Sequence, residues 1–153
     1  MLLNKPLRTA LCSLVLAASP FASALAGLGG DVSSVEADRA GLKGTLRVTP
    51  APTFAVHEIT TASGLQVHEY LSPGGTVFAV SWRGPGIPDL RQMLGSYYGE
   101  FTQAASAPHY NHHHLSVETP DVIVQSSGHM RSFFGRAWVP SLLPENFSVD
   151  QIN

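Results

Sequence analysis

The first 26 residues constrain this chain more than any other feature. Lys5 and Arg8 form a short positive region, and Thr9 to Ala18 is almost wholly apolar around Leu11, Leu14, Val15 and Leu16. Ser19-Pro20 then breaks the run, and small residues lead to Ala24-Leu25-Ala26. That order of charge, apolar stretch and small-residue site is the pattern of a cleavable secretory signal, with the cut expected after Ala26. The apolar run is about ten residues, half of the ~20 that a spanning helix needs. Export, to the periplasm or the medium, is therefore expected rather than anchoring, and no transmembrane segment is expected in the mature chain.

Cleavage has a consequence for folding. Cys12 is the only cysteine and leaves with the leader. A body without thiols has no disulfide, no cysteine nucleophile and no cysteine metal ligand, so residues 27–153 must be held by a packed core, for which the length suffices. Cleavage also removes two of the nine basic residues, while all eleven acidic ones remain. A basic nucleic-acid-binding face is not expected from such a balance.

Along the body, Gly27–Gly30 reads as a flexible leader and Asp31–Leu46 as a helix, with capping-box spacing at Ser33 and Glu36. Val48–Pro52 reads as a proline-containing linker. Three strand-like stretches follow, over Thr53–Thr61, Leu65–Leu71 and Thr76–Trp82. The turns Ala62-Ser63-Gly64 and Pro73-Gly74-Gly75 separate them. Pro88 suits the first turn of a helix carrying Leu90, Met93 and Leu94. Gln103–His114 reads as a loop, Asp121–Ser126 and Met130–Val139 as two more strands with Ser127-Gly128 as their turn, and Ser148 as the start of a short last helix. The expected organisation is a signal over 1–26, a helix and linker over 27–52, and an α+β domain over 53–153. That domain would hold a small, mostly antiparallel sheet of about five strands with one or two packed helices.

Four groups of residues could carry chemistry. His109, His112, His113 and His114 lie within six residues, and imidazoles at that density could hold zinc. Pro108, Tyr110 and Asn111 instead favour an exposed polar loop. Ser126, Ser127 and His129, with Asp121 or Asp89, evoke a serine hydrolase, but no Gly-x-Ser-x-Gly elbow is present. Glu58 and Glu69 fall on neighbouring strands, where a carboxylate pair or the outer face of a hairpin beside His57 and His68 are both open. Trp82-Arg83-Gly84-Pro85-Gly86-Ile87-Pro88-Asp89 is the most individual segment. Arg83 and Arg91 could grip an anion beside Trp82, with His129, Arg131 and Arg136 as further candidates. The structural alternative is a sharp strand-to-helix turn, with Trp82 in the core and Arg83 paired with Asp89.

Three segments carry a resemblance: Gly75–Gly95 (GTVFAVSWRGPGIPDLRQMLG), Gly128-His129-Met130-Arg131, and Ala137–Pro144 (AWVPSLLP). With the leader followed by Leu28-Gly29-Gly30, they resemble an uncharacterised family of exported bacterial proteins, the domain of unknown function 2844. The resemblance spans nearly the whole body. It implies a small exported domain and supplies no activity, cofactor or catalytic residue, and the histidine run is not part of it. The functional expectation is a non-catalytic exported domain that binds a protein or glycan of the cell envelope. The alternative is a metal-assisted envelope hydrolase that uses the His109–His114 loop, with zinc as its cofactor.

Overall fold

The computed structural model describes residues 27–106 and 114–153. Its centre is a seven-stranded, wholly antiparallel sheet. Helix α1 (Val32–Leu42) precedes a four-strand meander: β1 (Thr45–Pro50), β2 (Ala55–Thr60), β3 (Gln66–Leu71) and β4 (Val77–Gly84). The chain then crosses one face through α2 (Leu90–Leu94), a 3-10 turn (Gly95–Tyr97) and α3 (Tyr98–Ala105). A second meander returns from the far edge as β5 (His114–Glu118), β6 (Ile123–His129) and β7 (Ser132–Trp138). Strand β7 pairs with β4, giving the order β1-β2-β3-β4-β7-β6-β5.

The architecture is therefore α+β, with seven strands where about five were expected. Two were illegible. Thr45–Pro50 is not the end of a helix and a linker but edge strand β1, whose terminal Pro50 and exposed side chains suit an edge with one neighbour. Helix α1 stops early because Lys43 takes a left-handed conformation (φ 53°) and Gly44 returns its N–H to the Arg39 carbonyl. The second is β5, which begins at the end of the expected loop. The β6–β7 turn also lies later than expected. Met130 and Arg131 both have positive φ (49° and 68°), the backbone of a tight hairpin, carried here by two side-chain-bearing residues.

Period-two alternation sends each strand's residues to two faces. On the first face, Ile59, Val67, Val80, Trp82, Val117, Val124 and Ala137 pack against Leu28, Val35, Met93, Leu94 and Phe101. This is the larger core. On the second face, Tyr70, Phe78, Ala79 and Trp138 are covered by Ile152, Leu143, Phe147 and Val149. Phe147 meets Phe78 edge-on at 4.8 Å and Phe54 at 5.2 Å between ring centroids. The expected short last helix is a 3-10 turn (Val149–Gln151) capped by Ser148.

Gly27–Gly30 is not a flexible leader. Leu28 donates to the Met93 carbonyl (2.9 Å), Gly29 to Val77 (2.8 Å), and Val77 back to Gly30 (2.9 Å). Leu28 is completely buried. The segment is a strap sewn between α2 and the start of β4.

Candidate functional site

The C-terminal segment covers only part of the second face. Register partners across the sheet form two largely polar rows, the second of them hydrogen-bonded to the C-terminal segment. One runs Gln66–Arg83–Phe134–Ser127–His114 over β3, β4, β7, β6 and β5. The next runs Glu58–His68–Ser81–Arg136–Gln125 over β2, β3, β4, β7 and β6. Two adjoining depressions open on these rows. One, about 290 Å3, is bordered by Arg83, His114, Gln125, Phe134, Arg136 and Asn153. The other, about 320 Å3, is bordered by Gln66, His68, Ser81, Arg83 and Asn153. Arg83 is common to both. Together they reach the lower range of small-ligand pockets.

The two arginines differ in freedom. Arg136 is fixed: its Nε donates to Gln125 Oε1 (3.0 Å), its Nη1 to the Val149 carbonyl (2.9 Å), and its guanidinium lies 5.4 Å from the Trp138 ring centroid. Arg83 is exposed, and among the described residues neither a hydrogen bond nor an ion pair holds its guanidinium. Phe134 presents a half-exposed ring beside it (51%). The floor between the depressions is set by Asn153. Its main-chain oxygen accepts from Ser81 Oγ (2.8 Å) and Tyr70 Oη (3.1 Å), with His68 Nδ1 at 2.8 Å. An oxygen of that kind only accepts, so His68 carries its proton on Nδ1. Among the described residues no Asp or Glu side chain borders either depression. Glu58 stands at the outer end of its row, 3.9 Å from His68 Nε2. The arrangement can hold an anionic group in a bidentate guanidinium fork, with an aromatic wall and side-chain amides alongside.

The sequence candidates divide among several places. Trp82 points into the larger core, 2% exposed, with its Nε1 unbonded, while Arg83 points out to the cleft. Arg91 lies on α2, its guanidinium 5.0 Å from the Tyr98 ring centroid. His129 and Arg131 lie at the exposed β6–β7 turn, where His129 borders a third depression with Ser127, Gly128, Ser132 and Phe134; Ser127 and Phe134 also border the Arg83 depression. Asp89 does not pair with Arg83; it caps α2 by accepting from the Arg91 amide (2.9 Å). Ser126 and Ser127 alternate to opposite faces. Of the histidine run, His109, His112 and His113 lie outside the described residues, and His114 opens β5 at the cleft rim. Among the described residues no group of three His, Cys, Asp or Glu is placed to hold a metal ion.

Glu58 and Glu69 also separate. Glu58 faces His68 across β2–β3, whereas Glu69 faces His57 on the other side of the sheet. Glu69 is wholly buried against Asp38 of α1, also wholly buried. Asp38 accepts from the Gly27 amide (Oδ2, 2.8 Å) and from Gln92 Nε2 (Oδ1, 2.7 Å). Neither Glu69 oxygen is in hydrogen-bonding geometry with a partner, nor is His57 Nδ1. Burial, then the neighbouring Asp38 charge, pushes the Glu69 pKa up to about 9. Burial likewise raises Asp38, against the pull of the Gln92 and Gly27 donors, and lowers His57. Sequence reasoning missed this cluster, because Asp38 sits in an unremarkable helical stretch and only register aims Glu69 inward.

A family model described as a protein of unknown function, DUF2844, matches residues 24–152. The chain belongs to this family. No curated protein and no solved structure matches it. Within this DUF2844 chain the segments that carried the resemblance meet at the sheet centre. Gly75–Gly95 supplies β4 and α2, and Ala137–Pro144 supplies the end of β7 and the turn after it. Arg83 and Arg136 project from those two central strands.

Proposed function

We propose that this chain is an exported, non-catalytic domain that binds an anionic sugar of a cell-envelope glycan through the Arg83–Arg136 cleft. Support for export is the leader itself: two basic residues, an apolar run too short to span a bilayer, and small residues at Ala24 and Ala26. No helix among the described residues is long and apolar enough to cross a membrane.

The observation that carries the binding reading is the unpaired Arg83 beside the fixed Arg136. Solvated surface arginines are common, but this one stands over a depression bordered by cations, amides and an exposed ring, with no Asp or Glu side chain at its border among the described residues. A carboxylate or phosphate on a sugar would meet the guanidinium, and the sugar's apolar face would lie on Phe134.

Calorimetric titration with a short polyuronate and with a neutral oligosaccharide of equal length tests this. Binding of the charged oligomer alone, weakened by salt and by about tenfold in Arg83→Ala (~1.4 kcal/mol), is expected. Equal binding of the two oligomers, or an Arg83→Ala protein that binds as the parent does, would refute it.

A further inference from the structure

The buried acidic pair on the opposite face has no cation. Asp38 and Glu69 are each wholly buried, and among the described residues neither forms an ion pair with Lys, Arg or His. The groups around them are the neutral Gln92 amide, the main chain of Gly27, and His57, whose burial disfavours its charged form. Two carboxyl groups in such a place are costly unless something positive or donor-rich faces them.

What faces them is the nitrogen of Gly27, the residue that follows the expected cleavage site. That nitrogen is 2.8 Å from Asp38 Oδ2. Gly27 is buried with φ +77°, and a Cβ there would lie 2.1 Å from the Met93 carbonyl oxygen and 2.4 Å from that of Gln92. Only glycine fits. The strap hydrogen bonds of Leu28 and Gly29 hold the nitrogen in place. As a peptide amide it offers one donor, already used by Asp38. As a free terminus it would offer three donors and a positive charge, in a pocket where the buried Glu69 carboxyl has only the Asp38 carboxyl beside it and no Lys, Arg, His, amide or main-chain donor among the described residues.

We propose that cleavage after Ala26 creates an α-ammonium on Gly27 that docks into the Asp38–Glu69 pocket, so that the fold carries a receptor for its own processed N-terminus. This rests on the export reading above. In the hydrolysis, water adds across the Ala26–Gly27 peptide bond. Hydroxyl goes to the Ala26 carbonyl carbon and hydrogen to the Gly27 nitrogen, and the amine then takes a proton, drawn from solvent or from the Glu69 carboxyl. The result is one ammonium facing two carboxyl groups. An unprocessed or misprocessed chain keeps an uncharged amide there and lacks this pairing.

The composition makes the test clean. Lys43 is the only lysine after residue 26, so a chain cut at that bond has two primary amines. The full chain, with its leader, is expressed in an exporting bacterial host, and the product is purified and its N-terminus fixed by intact mass. Acylation of the Gly27 amine and the Lys43 amine is then followed against pH by peptide mass. The Gly27 amine is expected to titrate above pH ~9, against ~7.7–8.0 for an ordinary α-amine. It should react at least tenfold more slowly than in urea, and Glu69→Gln should return it toward ordinary values. A second variant covers a folding failure of Glu69→Gln: insertion of Ala-Gln between Ala26 and Gly27 should give a folded product with a reactive terminal amine and a lower melting temperature. A correctly cut chain whose Gly27 amine titrates near 8 overturns the pocket and leaves export standing. A cut at another bond overturns the pocket alone. An intact chain of 153 residues overturns both.

Discussion

Trp82 and Gly135 are register partners on β4 and β7, and the indole lies flat over the glycine. A Cβ on Gly135 would sit 2.3 Å from Trp82 Cζ2, 2.6 Å from Cε2 and 2.7 Å from the Gln125 carbonyl oxygen. Ordinary carbon contacts are ~3.5–4.0 Å, so Gly135→Ala requires a displacement of more than an ångström. The indole is 2% exposed and packed in the larger core, and the carbonyl belongs to the next strand. The cost should fall at the upper end of the ~1–3 kcal/mol typical of overpacking. For a domain of this size that is a melting-temperature drop on the order of 10 °C. Thermal unfolding followed by circular dichroism measures it, and the near-ultraviolet signal reports the indole itself. Trp82→Phe supplies the cross-check. Alone it leaves a void; with Gly135→Ala the new methyl occupies part of that void, so the double variant should be more stable than the two single losses predict, by ~1 kcal/mol. A Gly135→Ala protein melting within about 2 °C of the parent, or strictly additive losses, would refute the stacking argument.

Other consequences can be measured on the same material. In a chain extended ahead of Gly27, where the nitrogen is an amide, the folded Glu69 pKa of about 9 lies above its unfolded value near 4.3. The folded state then holds a proton that the unfolded state lacks between those values. Stability should be greatest below pH ~4 and fall as pH rises toward ~9, by at most ~1.4 kcal/mol per pH unit. Glu69→Gln should flatten that profile in urea titrations at stepped pH; an unchanged slope would assign it elsewhere. Arg136→Ala should cost ~1–2 kcal/mol through its lost hydrogen bonds to Gln125 and Val149, whereas Arg83→Ala should leave the melting temperature unchanged; equal melting of the two would contradict their different anchoring. Phe147→Ala should cost ~2 kcal/mol and speed exchange of the Ile152 and Asn153 amides, since Phe147 joins Phe54, Tyr70 and Phe78 beneath the C-terminal segment.

The parts of the fold that were legible share a cause. Strands β2, β3 and β4 declare themselves because alternation or an apolar run is bounded by Gly and Pro turns, and Pro88-Asp89 announces α2. Strand β1 was hidden because an exposed edge strand needs no apolar face, and Pro50 with Pro52 just beyond it reads as a linker. Strand β5 has only Leu115 and Val117 as inward residues. The β6–β7 turn was misplaced because Met130 and Arg131 take positive φ without glycine, so the visible glycine, Gly128, drew the turn two residues too early. For the site, Arg83 and Arg136 were recognisable as candidates, but their convergence depends on β7 crossing back to β4, a pairing between residues far apart in sequence. The Asp38–Glu69 contact depends on strand register and on α1 lying over β3; a slip of one residue would have put Glu69 in solvent.

That register also explains how one sheet serves two separate demands. On β3, Glu69 points toward the N-terminal strap while His68 and Tyr70 point toward Asn153. On β4, Trp82 fills the core while Ser81 and Arg83 face the cleft. The segments at the two ends of the described chain are thus fastened to the same pair of central strands from opposite sides. Each of these strands is hydrogen-bonded on both edges, the most constrained position a sheet offers. A charge placed at Gly27 therefore acts on strands that also carry Arg83, but any effect at the cleft must pass through a movement of β3 or β4 that their paired edges resist. The same constraint that makes the pocket able to select a processed terminus makes the cleft a pre-formed surface, with the fixed Arg136, the Phe134 wall and the exposed Arg83.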